Sequence, residues 1–351
     1  MTLQELGFSN WFQAQAAQQN TEGCAMARVT AVDRGSCMVR DGQREVPAEL
    51  SGRLSFGIDS PEELPCVGDW ALVRHYNNDT AAIIDGLLPR KTFLRRKAPG
   101  TARGSQMIAA NIDLAFIMQS CHFDFNPSRL ERYLVMASDG GVEPLVLLNK
   151  TDLVSEEELE EKLRVLRALT RGKVIPLSIV TGSGLDELRQ FLAPGQTCCL
   201  LGSSGVGKTT LINSLMGREV FGTQTVSGTG EGKHTTTRRQ LSVLPGGALL
   251  VDTPGMRELG ILGAGQGIEA EFDEIAALSA QCRYADCRHA NEPGCAVRAA
   301  IERGELTGER YAHYLKLRKE SEYNALSSLD KRRKDKAFGR FIKTAMKQMG
   351  K

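Results

Sequence analysis

Two hydrophobic rhythms divide this chain. Over residues 24–88 apolar positions alternate in short runs, as in Ala27-Arg28-Val29-Thr30-Ala31-Val32 and Cys37-Met38-Val39-Arg40, and the hairpin dipeptide Asp41-Gly42 follows the second run. A period of two turns one face of each strand toward a core. Val67 to Val73 and Thr80 to Ile84 continue the pattern, and the length suits a compact barrel of about five strands, an OB-fold foremost and an SH3-like barrel as the alternative. Leu88 to Met107, with Pro89, Pro99, Gly100 and Gly104, reads as a linker.

Past residue 108 the texture changes. Ile112 to Met118, Val142 to Leu148, Val174 to Leu177, Thr197 to Leu201 and Leu249 to Val251 are continuous apolar runs, as buried strands require. Helices are predicted between them. One has Asn126 as N-cap, Pro127 in its first position, and Leu130, Tyr133, Leu134 and Ala137 on one face, and it stops at Gly140-Gly141. Ser155 with Glu158 forms a capping box for another. This alternation predicts a largely parallel sheet with helices on both faces, which binds ligands beyond the strand C-termini. Further helices, Ala296 to Arg303 and Gly308 to Ser327, make the C-terminal part mainly helical.

At 351 residues, 41% hydrophobic and 25% charged, the chain has the composition of a soluble multidomain protein. No apolar run approaches the roughly 20 residues that span a bilayer. Met1 to Asn20 lacks the basic start and apolar stretch of a signal peptide, so a cytoplasmic protein is expected. Nine cysteines are too few for a disulfide scaffold; Cys198 and Cys199 read as buried thiols. The net charge of +2 hides segregation: Lys331 to Lys351 holds nine Lys/Arg against the single Asp335, and Arg90 to Lys97 is a second basic run. Such segregation points weakly to a polyanionic partner.

Gly202-Ser203-Ser204-Gly205-Val206-Gly207-Lys208-Thr209 matches a phosphate-binding loop between a strand and the helical run Thr210 to Met216. Its amides and the helix N-terminus suit phosphate oxygens. Lys208 is placed to neutralise β/γ charge and the Thr209 hydroxyl to ligate Mg²⁺. Asn149-Lys150-Thr151-Asp152 directly follows another strand. Asp152 can accept from the guanine N1–H and from the N2 amino group that adenine lacks. The Lys150 stem packs on the base, and Ser178 lies over the guanine carbonyl. Asp252-Thr253-Pro254-Gly255 ends a third strand; Asp252 suits Mg²⁺ held through water, and the Gly255 amide a γ-phosphate sensor.

Between the last two motifs runs a glycine-rich stretch ending Gly232-Lys233-His234-Thr235-Thr236-Thr237. A switch loop of this kind brings a threonine to Mg²⁺ only when the γ-phosphate is present; Thr236 is the first choice and Thr235 the second. Met256 stands where Ras-like proteins carry a water-positioning Gln. His234 is the candidate replacement, with a structural or RNA-facing role as its alternative. The motifs thus run base-reading, phosphate loop, switch, Asp-x-x-Gly, a circular permutation of the usual GTPase order. Beyond them, Cys282-x4-Cys287-x-His289-x5-Cys295 offers a closed four-ligand set for one structural Zn²⁺. Phe338 and Phe341, interleaved with Arg340 and Lys343, favour an RNA-contacting helix over a merely solvated one.

This constellation resembles the ribosome small-subunit-dependent GTPase A family (RsgA, also called YjeQ or YloQ), and the resemblance spans nearly the whole chain. It implies an N-terminal OB-fold barrel, a central circularly permuted α/β P-loop GTPase domain and a C-terminal mainly helical zinc-binding domain. It also implies a monomeric bacterial factor that acts late in small-subunit maturation, binds GTP and GDP, contacts rRNA through the barrel and zinc domain, and helps release another assembly factor. Hydrolysis would be slow alone and faster on the subunit, with Lys208, His234 and Thr236 in catalytic roles. Lys233 and Arg238 depart from the family's switch motif, where arginine and histidine are expected. The expected divisions are an extension (1–23), barrel (24–90), linker (91–107), GTPase domain (108–270), zinc-binding domain (271–330) and basic tail (331–351). A small-molecule kinase or ATPase is the competing class, disfavoured by Asp152. A scaffold whose nucleotide fixes domain geometry is the third, and Met256 lends it weight.

Overall fold

The computed structural model describes residues 1–19, 21–33, 36–98, 104–122, 124–219, 239–252, 263–326 and 330. A short helix, α1 (Asn10–Ala16), precedes the barrel strands β1 (Ala25–Asp33), β2 (Ser36–Arg40), β3 (Glu45–Leu50), β4 (Trp70–Tyr76) and β5 (Ala81–Leu87), with α2 (Gly52–Phe56) between β3 and β4. Hydrogen bonding runs β1-β2-β3-β5-β4 and closes from β4 back to β1, with β3 and β5 parallel. That order fits an OB-fold. Alternation is what fills the barrel: Ala27, Val29, Val39, Val46, Ala48, Val73, Ala82 and Ile84 meet inside. The Asp41-Gly42 turn forms as expected, with Asp41 Oδ1 accepting from the Gln43 and Arg44 amides at 2.9 Å each.

The stretch expected to be a bare linker is a packed hairpin of β6 (Phe93–Lys97) and β7 (Ser105–Ala110). Leu94 and Ile108 are fully buried. The two strands pair antiparallel, Phe93 opposite Ala110 and Lys97 opposite Ser105, so this stretch is structured rather than a flexible tether. The basic run that includes β6 is also less free than its charge implied. Arg90 pairs with buried Asp69 through two nitrogens at 2.8 Å, and Arg95 reaches Asp139 and Glu62.

The central sheet contains β8 (Leu114–Ser120), β9 (Glu143–Asn149), β10 (Val174–Pro176), β11 (Thr197–Leu201), β12 (Arg239–Val243) and β13 (Leu249–Asp252). Its order is β10-β9-β8-β11-β13-β12, parallel except for the antiparallel edge strand β12. The helices are α3 (Pro127–Asp139), α4 (Glu156–Leu169), α5 (Leu185–Arg189) and α6 (Lys208–Met216). Alternate residues of each strand feed two cores. Ile117, Val146, Cys199 and Val251 pack with α3 and α4, whereas Phe116, Leu147, Cys198 and Leu200 pack with α5 and α6. Both thiols are buried, as expected. Asn126 caps α3 by accepting from the Arg129 amide at 2.9 Å, and Ser155 caps α4 through the Glu158 amide at 3.3 Å.

Strand β12 also pairs with β1, Ala31 opposite Gln240 and Val32 opposite Arg239, so barrel and central sheet are hydrogen-bonded together. The N-terminal segment strengthens that junction. Leu6 and Phe12 pack on Trp70 and Leu88, and fully buried Arg28 donates to the carbonyls of Gly68, Leu6 and Asn111. The C-terminal part comprises α7 (Gly265–Glu271), α8 (Asp273–Ser279), α9 (Ala296–Glu302) and α10 (Gly308–Ala325), around a core that also takes in Val135 of α3. Among the described residues, no helix is long and apolar enough to cross a membrane.

Candidate functional site

Parallel registry brings the sequence motifs to one edge of the sheet. Ser120 lies opposite Asn149, Leu201 opposite Ile117 and Leu200 opposite Asp252, so the segments after β8, β9 and β11 and the end of β13 emerge side by side. The phosphate-loop sequence turns from β11 into α6. Gly207, at φ +107°, caps that helix in a left-handed conformation. An added Cβ there would stand 2.4 Å from Asn149 Nδ2, so only glycine fits.

The segment expected to read the base is bolted to that loop. Asn149 Nδ2 donates to the Val206 carbonyl at 2.8 Å, and Lys150 Nζ to the Gly205 carbonyl at 2.8 Å. Lys150 adopts φ +65°, which starts the 3-10 turn Thr151–Leu153 and sets the direction of Asp152. Ser178 Oγ donates to Asp152 Oδ1 at 2.5 Å, which fixes the carboxylate, and the Thr151 amide donates to the Leu177 carbonyl at 3.3 Å. Asn149, Lys150, Thr151, Asp152 and Ser178 therefore form one constellation with residues 202–208, although the chain separates them by tens of residues.

Lys208 lies along the loop it ends, donating to the Gly202 and Ser203 carbonyls at 2.7 and 2.6 Å. Burial pushes its amine down to about 8, while the carboxylates of Asp252 and Asp124 pull upward. Thr209 and Thr210 follow in the first turn of α6. The proposed switch residues His234, Thr235 and Thr236, Gly255 of the Asp-x-x-Gly motif with Met256 after it, and the basic tail 331–351 lie outside the described residues. One residue in this neighbourhood went unread in the sequence. Asp124, in the loop after β8, accepts a hydrogen bond from Ser203 Oγ and pairs with Arg129 Nη1 at 2.6 and 2.8 Å. Its signal was available: a carboxylate a few residues past a strand end in a sheet whose ligands bind at that edge.

The second constellation is the C-terminal one. The ligand atoms of Cys282, Cys287, His289 and Cys295 all lie within 4.8 Å of one another, a set that could hold a metal ion. His289 Nδ1 faces the sulfurs of Cys282 and Cys295 at 3.5 and 3.4 Å, while its Nε2 meets Ser279 Oγ at 3.1 Å. Ser279 thereby orients the ring, a second unread contact of the kind that ligating histidines use. Cys295 is also the N-cap of α9, accepting from the Arg298 amide at 3.4 Å.

A cavity of about 600 Å³ lies at the opposite edge of the sheet, lined by the N-terminal segment, Lys91, Asp113 and Glu143. None of the motif or cluster residues lines it.

Comparison with known proteins follows the same division. A profile of the RsgA GTPase family matches residues 87–262. A small ribosomal subunit biogenesis GTPase RsgA 2 of Lactiplantibacillus plantarum is 41% identical over 353 residues, covering 99% of this chain and 97% of that protein. The small ribosomal subunit biogenesis GTPase RsgA of Xanthomonas axonopodis pv. citri is 47% identical over 299 residues, covering 84% of this chain and 80% of that one. Among solved structures, YjeQ from Thermotoga maritima superposes with a TM-score of 0.62 at 25% identity, over 84% of this chain and 97% of that one. The circularly permuted GTPase YloQ superposes with a TM-score of 0.60 at 21% identity, over 88% and 99%, which speaks for the fold.

Proposed function

The chain belongs to the RsgA GTPase family, and on that footing we propose that it hydrolyses GTP to assist late maturation of the small ribosomal subunit. One observation carries the reading: a base-reading segment that precedes the phosphate loop in sequence is hydrogen-bonded to it in space, through Asn149 to Val206 and Lys150 to Gly205. That is a permuted GTPase site.

In this reading Asp152 selects guanine, Ser178 holds it in register, and residues 202–207 present their amides to the phosphates. Lys208 and the α6 N-terminus neutralise the β/γ charge. Thr209, Thr236 and Asp252 would hold Mg²⁺, which when bound supplies charge compensation to the transferring phosphoryl group. His234 orients the attacking water in place of the glutamine that Met256 displaces.

The Cys282/Cys287/His289/Cys295 set is read as a structural zinc site. Tetrahedral zinc, with bonds of about 2.3 Å to sulfur and about 2.0 Å to nitrogen, sets those ligand atoms about 3.5 Å apart. The 3.5 and 3.4 Å separations of His289 Nδ1 from two cysteine sulfurs fit that geometry. With four protein ligands no position remains for substrate water, so the role is structural. The barrel, zinc domain and basic tail are read as the rRNA-contacting parts of a cytoplasmic, monomeric factor that also helps release another assembly factor.

The test is GTP turnover by the purified protein alone, with small subunits and with large subunits, using Lys208→Ala as control. Acceleration by small subunits alone is expected. Equal rates with either subunit, or ATP competing as well as GTP, would remove the reading.

A further inference from the structure

We propose that α3 carries the state of the C-terminal helical domain to the phosphate loop, with Asp124 and Glu131 as positioning residues at its two contacts. The inference rests on the reading of the chain as a subunit-stimulated GTPase and says where the stimulus travels.

At the first contact, Asp124 accepts from Ser203 Oγ of the phosphate loop. Arg129, in the first turn of α3, grips both Asp124 oxygens at 2.6 and 2.8 Å. The Asp124 charge also acts on Lys150 and Lys208, favouring their charged forms. A shift of α3 along its axis must therefore move the carboxylate that braces the loop.

At the second contact, Glu131 is 1% exposed and lies on the other side of α3. It accepts from Arg310 Nη1 at 3.0 Å and from His313 Nδ1 at 2.6 Å, both on α10. Ser128 Oγ lies 3.2 Å from His313 Nε2, so the ring is held from both of its nitrogens by α3. Arg310 is itself fixed by Glu274 at 2.9 Å, by the Glu271 carbonyl at 2.7 Å and by Phe272, whose ring centre is 4.0 Å away. Arg132 adds a bond to Glu320 at 2.6 Å. Helix α7 closes the contact: a Cβ on Gly267 would lie 2.5 Å from the Val135 carbonyl, so the two helices touch through backbone.

A buried charge network of this kind does not slide, because separating one partner leaves an uncompensated charge. The C-terminal domain and α3 therefore move together, and α3 ends on the phosphate loop. Linkage then works in both directions: a partner that repositions the domain changes the loop, and phosphate on the loop changes the domain.

The experiment compares wild type with Glu131→Gln, His313→Gln, Asp124→Asn and the Glu131→Gln/Asp124→Asn double variant. It reads melting temperature, GTP turnover alone, turnover with purified small subunits, and subunit affinity by co-sedimentation. Folded Glu131→Gln and His313→Gln should keep basal turnover and subunit affinity within about twofold and lose about fivefold or more of the stimulation. The double variant should lose no more than the worse single one, as for two residues on one path. Full stimulation in both folded variants, or losses that multiply in the double, would overturn the inference. If Glu131→Gln does not fold, His313→Gln, which is partly exposed, decides. If wild type is not stimulated at all, the functional reading fails instead. Amide exchange at residues 202–207 then decides: faster exchange in the folded α10-contact variant supports the α3 path, and unchanged exchange refutes it.

Discussion

The Asn149 side-chain amide donates to the Val206 carbonyl at 2.8 Å, so the segment after β9 braces the loop between β11 and α6. Asn149 is buried, and Asn149→Ala leaves that carbonyl without its donor, a loss of about 1–3 kcal/mol. Gly207→Ala attacks the same contact from the other side, driving a methyl group to 2.4 Å from Asn149 Nδ2 at a backbone φ of +107°. Both variants should bind GDP at least about tenfold more weakly, with Gly207→Ala the worse. Titration of a fluorescent GDP analogue checks this; wild-type affinity in Gly207→Ala would show that the two loops move independently.

Lys208 gives the nucleotide affinity a pH dependence. Burial lowers its amine from 10.5 to about 8, so above that pH the folded protein carries it neutral while an unfolded chain keeps it charged. Stability without nucleotide should therefore rise between about pH 8 and 10.5, an increment that Lys208→Met removes. Bound phosphate favours the charged amine, so binding takes up a proton and GDP affinity falls as pH rises through 8. Calorimetry at pH 8.5 in two buffers of different ionisation enthalpy measures the uptake; none would place the amine's titration elsewhere.

That the motifs meet at one sheet edge was legible because they are contiguous tetrapeptides and octapeptides at strand ends, where one residue such as Gly207 has a single tolerable identity. The barrel's strands were legible from alternation, but their closure was not. The β3–β5 parallel pair that separates an OB-fold from an SH3-like barrel joins residues more than thirty positions apart. Pro99, Gly100 and Gly104 misled in the other direction: breakers signal a turn, and nothing local says whether the flanks pair with each other. The N-terminal helix α1, whose Phe12 packs with Leu6 on Trp70, is too short to show a helical period. Asp124, Glu131 and Arg310 act through tertiary partners, which spacing along the chain does not encode.

Asp152 should decide between guanine and its analogues. Its carboxylate, fixed by Ser178 at 2.5 Å, is proposed to accept two hydrogen bonds from guanine, and an amide in its place offers a donor where an acceptor is needed. Asp152→Asn should weaken GTP by about 1–3 kcal/mol, or roughly ten- to a hundredfold, and should improve xanthosine triphosphate, whose C2 oxygen accepts. Competition between the two nucleotides provides the check. An unchanged preference for GTP would assign base recognition to other groups.

Metal removal should reach further than the cluster. Cys295 lies in the C-terminal core with Val297, Phe272 and Leu317, and Val135 of α3 shares that core. Chelation, or Cys287→Ser, should release one equivalent of zinc, melt α9 and α10, and lower the melting temperature of the GTPase domain through the exposed side of α3. Released metal is followed with a colorimetric indicator and helicity by circular dichroism. A GTPase domain whose melting is untouched by chelation would mean that the two units are only tethered.

The Asp-x-x-Gly motif ends at Gly255, and the next residue, Met256, has no group that can orient water. Hydrolysis then needs another donor or acceptor near the γ-phosphate, and His234 is the titratable side chain that the switch sequence supplies beside its threonines. An imidazole that positions or deprotonates water contributes about 10²- to 10⁴-fold, and it acts on turnover rather than on ground-state binding. His234→Ala should thus lose that range of subunit-stimulated turnover while GTP affinity changes by less than about threefold. His234→Gln should recover part of the rate, because an amide can orient water without titrating. Unchanged stimulated turnover in His234→Ala would remove the residue from the mechanism and leave the water to be positioned by the subunit itself.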